Sequence, residues 1–148
     1  SSDLIIHEIL KNNSIFFNLL FFGDGLVTLA YLDFDYNEDA QGHGCWDAMA
    51  CVATQRLPAV LQEVTTVLSW AQAQAGLVRG AWEEGGDWDA VLQVQTEDGQ
   101  PLAVVCEPHT QALWLAQAAA QPRVVVLLTV VGSAAFAAAF EERFSLGQ

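Results

Sequence analysis

The sequence predicts an α+β fold: a mostly antiparallel sheet with two packed helices over about 57–75 and 133–144. Three observations carry that expectation. Apolar, β-rich runs are separated by turn signals such as "GDG" and "EDGQ". One long segment repeats its apolar residues at the 3.6 period of a helix, and a second, near the C-terminus, spaces its phenylalanines four apart. At 148 residues and 53% hydrophobic content the chain has the length of one domain, 1–148, with enough apolar material for its own core.

The opening "SSDLIIHEILKN" fits either a short helix or a strand. "SIFFNLLFF", "GDG" and "LVTLAYLDFDY" then read as a hairpin. In its second run Leu26, Thr28, Ala30, Leu32, Phe34 and Tyr36 share one face by the strand's period of two, and Val27, Leu29 and Tyr31 share the other with Asp33 and Asp35. "CWDAMACVA" at 45–53 suits another strand. In the segment that follows, Pro58 suits a first helical turn and Gly76 a C-terminal cap. Leu57, Val60, Leu61, Val64, Leu68 and Ala71 form its apolar stripe, which is expected to pack on the sheet.

Farther on, Ala90, Leu92 and Val94 alternate against Asp89, Gln93 and Gln95, which predicts a half-exposed strand ending at the "EDGQ" turn. "RVVVLLTVVG" lacks alternation and reads as a central strand covered on both faces. In "SAAFAAAFEERF" Ser133 is placed as an N-cap, and Phe136, Phe140 and Phe144 fall on one helix face. The run Val124–Phe140 is uncharged for 17 residues, short of the ~20 that a spanning helix needs, and it changes character at Gly132 and Ser133. A buried strand followed by a helix is therefore expected, with no membrane partner.

Charge narrows the function classes. Eighteen Asp and Glu stand against 5 Lys and Arg, a formal net charge of -13. Such a field repels nucleic acid and anionic lipid and draws in basic partners, so direct DNA or RNA binding is excluded first. Acidity also keeps an apolar-rich chain soluble, which is the plain reading of the same charge. Cys45, Cys51 and Cys106 are odd in number and form no CxxC, which points to core thiols in a reducing cytosol. No basic leader precedes the apolar stretch at 15–22, so a cytoplasmic location is expected.

Catalytic and metal motifs are weak by comparison. Asp33, Asp35 and Asn37 match the opening of an EF-hand loop, but its sixth position, a glycine, is Glu38 here and its twelfth, a glutamate, is Gly44. An Asp-x-Asp at a strand end also suits an aspartyl phosphoryl-transfer site, yet the cations that would hold phosphate are nearly missing. Cys106, Glu107 and His109 lie together in "CEPH", the remaining material for a small hydrolase. Spacing alone does not bring thiol and imidazole into contact, and an exposed histidine beside a buried thiol is the simpler expectation. No Walker loop, dinucleotide fingerprint or His-rich metal motif is present, so no cofactor, no metal and no catalytic residue is expected.

What remains is acid beside indole. Glu83, Glu84, Asp87 and Asp89 surround a two-glycine turn with Trp82 and Trp88; Asp33, Asp35, Glu38 and Asp39 form a second acidic group. Each of these tryptophans, read singly, suits a core flanked by solvated acids; jointly they suit a face where aromatic anchors meet a basic protein. The segments "CWDAMACV", "LPAVLQEVTTVLSWAQAQ", "EEGGDWD" and "LTVVGSAAFAAAFEERF" together resemble immunity proteins of bacterial contact-dependent growth inhibition and related polymorphic toxin systems. That resemblance spans roughly 25–146 and transfers no functional residue. It implies a noncatalytic cytoplasmic inhibitor of a cognate toxin domain, in such systems often a nuclease. An acidic nucleic-acid mimic or a secretion chaperone shares the composition and differs in its basic client.

Overall fold

The computed structural model describes residues 27–146. Its main sheet has five strands in the order β1-β2-β7-β3-β4, each neighbouring pair antiparallel. They are β1 (Phe34–Glu38), β2 (Gly44–Ala53), β3 (Trp88–Thr96), β4 (Pro101–Leu102) and β7 (Arg123–Gly132). A two-stranded sheet joins β5 (Val104–Cys106) to β6 (Leu113–Leu115). Among the described residues two α-helices, α1 (Leu57–Gln72) and α2 (Ala134–Arg143), join the sheets in an α+β fold.

The period of two decides which sheet face is inside. Trp46, Ala48 and Ala50 of β2 stand in register with Val130, Leu128 and Val126 of β7, and all six are buried. On the other side of β7, Trp88 pairs with Gly132 and Val94 with Val126, adding their side chains to the same face. Helix α1 lays its whole predicted stripe, Leu57, Val60, Leu61, Val64, Leu68 and Ala71, into that core, with Val67 and Thr65 buried beside it. Helix α2 begins where the Ser133 hydroxyl accepts from Phe136 N at 3.3 Å, and its Phe136, Phe140 and Phe144 are all buried.

An aromatic chain locks α2 to sheet and helix. Phe136 stacks on Trp88 with ring centroids 5.6 Å apart at 12°, and Phe140 meets Trp46 edge-on at 4.9 Å. Trp70 of α1 reaches Phe136 and Phe140 at 5.8 Å and Phe144 at 5.4 Å. Gly132 makes this possible, because a Cβ there would lie 2.2 Å from the Phe136 ring.

Four sequence expectations are corrected. The strand read over Leu26–Tyr36 is confined to Phe34–Glu38, and its hairpin partner at 15–22 lies outside the described residues, as does the opening segment. Its earlier part is held otherwise: the Glu63 carboxylate of α1 accepts from Ala30 N at 2.6 Å, from Tyr31 N at 3.0 and 3.1 Å, and from Leu32 N at 3.0 Å. Those are backbone donors that a strand would spend on a neighbour. Secondly, β7 is central but, among the described residues, closely packed on one face only: along its other side Val131 is exposed and Val125 and Leu127 are half-buried. The neighbouring Met49 and Val91, 65% and 62% exposed, continue that open face. Thirdly, α1 ends at Gln72, and Gly76, with φ +80°, serves a turn beyond it. Lastly, Cys51 and Cys106 are exposed and Cys45 half-buried rather than core thiols, because Cys45 and Cys51 fall on the open face of β2.

The Glu63 clamp yields a direct prediction. Glu63→Ala strands three backbone donors and should lower unfolding free energy by about 2 kcal/mol or more. Denaturant titration measures this, and a loss below about 0.5 kcal/mol, the scale of an ordinary surface change, would mean that the carboxylate does not hold the segment.

Candidate functional site

Two turns at the same end of the sheet make one cleft. Between β1 and β2 the chain reverses over 39–43, where Asp39 organises the turn: its Oδ1 accepts from Gln41 N at 2.9 Å and His43 N at 2.8 Å. Its Oδ2 lies 2.9 Å from His43 Nδ1 and so fixes the imidazole. The His43 N–H bond, with further bonds from the His43 ring and Gln41 N, holds the Asp39 carboxyl below the ordinary carboxylate range, against a smaller desolvation effect. A lowered acid stabilises the turn at pH above the unfolded value and loses that contribution as pH falls through its folded value. On acidification the midpoint of the Gln41 amide proton shift should therefore lie below the ordinary Asp value of ~3.9. Movement completed above that value would contradict the assignment.

The second turn is the loop leading into β3. Its base is closed by Val78 N donating to Asp87 Oδ2 at 2.7 Å and Asp87 N donating to Val78 O at 2.6 Å. Between them Trp82–Glu84 form one 3-10 turn, ended by Gly85. Gly86 is required by close approach, since a Cβ there would lie 2.0 Å from Gly80 O. Ser133 N donates to Asp87 O at 2.8 Å and ties the loop to the start of α2. Asp89 Oδ1 accepts from Arg79 Nε at 3.0 Å, and the Arg79 guanidinium lies 5.1 Å from the centre of the Trp88 ring.

The two turns meet where Trp82 packs on His43, ring centroids 4.1 Å apart. Together they border a cleft of about 690 Å³. Asp39 and His43 line one side; Trp82, Glu83, Asp87 and Asp89 line the other, with Trp88, Gly132 and Ser133 also in the wall. Segments remote in sequence thus place four acidic residues along one concavity.

The predicted site residues divide on this geometry. Asp39, Trp82, Glu83, Asp87, Trp88 and Asp89 are brought together. Glu84 is exposed on the same 3-10 turn but outside the lining. Asp33 precedes β1, Asp35 stands opposite Asp47 on the open face, and Glu38 is exposed on the edge strand; none of the three lines the cleft. The two tryptophans differ most: Trp82 is 57% exposed, whereas Trp88 is 2% exposed and belongs to the core. Sequence reasoning missed His43 and Arg79. Asp39 and His43 flank a glycine turn at a spacing that permits an Asx-type contact, a signal available in the sequence; Arg79 reaches Asp89 only through the fold of the loop.

Elsewhere Glu107 orders its own turn by accepting from His109 N, Thr110 N and Thr110 Oγ1. The Cys106 sulfur has Glu107 O at 3.7 Å and Gln111 Oε1 at 3.8 Å as partners, and the His109 imidazole has no hydrogen-bond partner among the described residues. Partial desolvation, opposed by Arg79 and reinforced by Glu107, raises the exposed Cys106 thiol above its usual range and keeps it protonated at neutral pH. Among the described residues no three His, Cys, Asp or Glu side chains gather as a metal site, and no helix is long and apolar enough to cross a membrane.

The class defined by fold and site is an α+β protein with an acidic, tryptophan-bearing cleft at one end of its sheet. No protein-family model, curated protein or solved structure matches this chain.

Proposed function

We propose that this protein is a noncatalytic, immunity-type inhibitor that covers a basic toxin domain, a nuclease being the expected kind, in the cytoplasm of the cell that makes it. The observation that carries the reading is the convergence of Asp39 with Glu83, Asp87 and Asp89 around one cleft beside the exposed Trp82. A nuclease holds phosphates with Lys and Arg, so a rigid anionic concavity complements the same surface. The charge of -13 steers the encounter over distance, and an exposed indole supplies the apolar contact that slows dissociation.

Two measurements test it. Growth of cells producing the toxin domain encoded beside this chain should be rescued by co-expression; continued arrest, or a neighbourhood made only of metabolic genes, overturns the reading. In stopped-flow at low salt, Glu83→Lys with Glu84→Lys should slow association about tenfold or more. Both side chains are exposed and make no hydrogen bond or ion pair among the described residues, so the fold should tolerate the change. An unchanged rate sinks steering by this face.

A further inference from the structure

The main sheet ends differently on its two sides. On the β4 side the edge strand is only Pro101 and Leu102, and the proline has no N–H to offer a further strand. Much of the rest of that side, along β3, is taken by the preceding loop. Arg79 bridges to Trp88, Gly80 N donates to Trp88 O at 2.8 Å, and the Arg79 guanidinium donates to Ala90 O at 3.3 Å. On the other side lies β1, five residues paired with β2 in unbroken register, with no proline and no bulge.

Which groups β1 leaves open follows from its turn. Asp39 N donates to His43 O at 3.0 Å, so by the alternation of an antiparallel pair Asn37 and Asp35 also turn their N–H and C=O towards β2. Phe34, Tyr36 and Glu38 turn theirs away from the sheet, where they meet no partner among the described residues. Asp35, Tyr36, Asn37 and Glu38 are all exposed. A row of unspent donors and acceptors on an uncovered edge is a template for one more strand.

Charge and period decide which strand fits. From Asp33 to Gly44 the chain carries Asp33, Asp35, Glu38 and Asp39 and no Lys or Arg. Among the described residues no Lys or Arg pairs with Asp33, Asp35 or Glu38. A second copy of β1 would set these acids against their own kind, and like charges facing each other across a strand pair are unfavourable. By the period of two, Asp35 stands on the open face of the sheet, while Phe34 and Tyr36 point inward to Phe140 and Trp46. A segment with Lys or Arg at alternate positions places its cations beside Asp35 and its intervening residues beside the Tyr36 ring, which is 51% exposed.

We propose that β1 is the docking edge for an extended basic segment of the partner, which joins the five-stranded sheet beside β1 with a cation at every second residue. The edge runs directly into the Asp39 turn that borders the cleft, so one partner spans both. The identity of that partner rests on the inhibitor reading; the chemistry of the edge does not.

The probe is a synthetic peptide alternating lysine and valine, acetylated and amidated at its ends, titrated into the full chain while backbone amide resonances are followed by NMR. The amide protons of Phe34, Tyr36 and Glu38 should move downfield saturably and exchange more slowly, whereas those of Asp35 and Asn37, already bonded to β2, should move little. N-methylation of the valines keeps the charge and removes the N–H groups that face β1, and should weaken binding about tenfold or more. The same peptide with glutamate for lysine should not bind. Asp35→Lys, at an exposed position, should weaken the lysine peptide several-fold; if that variant does not fold, the N-methylated and glutamate peptides decide on the unaltered chain. No saturable shift, shifts without the alternation, or equally tight binding of the N-methylated or glutamate peptide overturns the proposal. Peptide pairing by a chain that fails to rescue growth keeps the docking edge and removes the inhibitor role. If Asp35→Lys loses the peptide yet binds the toxin domain as tightly as the unaltered chain, the edge is not where that partner docks, and the inhibitor reading stands.

Discussion

Phe136→Ala should cost the fold about 3–5 kcal/mol, the range for emptying a phenylalanine-sized space in a packed core. Small domains hold only about 5–15 kcal/mol in all, so much of the stability goes with one ring. Phe136 is fully buried and sits between Trp88, Trp70 and Phe140, with Trp46 edge-on at 6.2 Å. Its removal takes the stacked neighbour from Trp88 and leaves a gap over Gly132, which has no side chain of its own to fill it. Phe136→Leu keeps most of the volume and should cost distinctly less. Urea unfolding of the three proteins is the check. A loss below about 1 kcal/mol for the alanine variant, the size of an average substitution, would mean that α2 is not braced through this ring.

Trp82→Ala should do the opposite: little to the fold and much to binding. Its indole is mostly exposed and rests on His43, so unfolding free energy should change by no more than about 0.5 kcal/mol. Affinity for the proposed partner, a basic toxin domain, should fall by about 2 kcal/mol or more, roughly thirtyfold, if the indole is the anchor that the partner closes over. That loss should lie in the dissociation rate, whereas reversal of Glu83 and Glu84 should lie in the association rate and fade as salt is added. Surface plasmon resonance at two salt concentrations separates the two. Equal affinity for wild type and Trp82→Ala would remove this residue from the interface. Trp88 cannot serve the same test, since its truncation damages the core in which it is packed.

Helices were the most legible part. A stripe at the 3.6 period identifies the buried face of α1 whatever it packs on, and Ser133 with three phenylalanines four apart predicts both the start and the inner face of α2. Strands β2, β3 and β7 were legible as strands, but coverage of β7 was not. An all-apolar strand reads the same whether its second face is packed or open, because composition records preference for burial and not its achievement. The first strand was misread for another reason: the donors of Ala30, Tyr31 and Leu32 go to a carboxylate on a helix some thirty residues away, and no local pattern announces such a bond.

The candidate site divides in the same way. By itself the sequence determined the α+β class, the two helices, the acidic balance and the presence of indole beside carboxylate in "EEGGDWD". These follow from composition and short-range period, which belong to the chain before it folds. Only the tertiary structure decided that Asp39 joins Glu83, Asp87 and Asp89, that Trp82 faces solvent while Trp88 is packed against Phe136, and that His43 and Arg79 hold the two turns in place. The physical reason is that β7 lies between β2 and β3, bringing the ends of strands distant in sequence to one edge of the core.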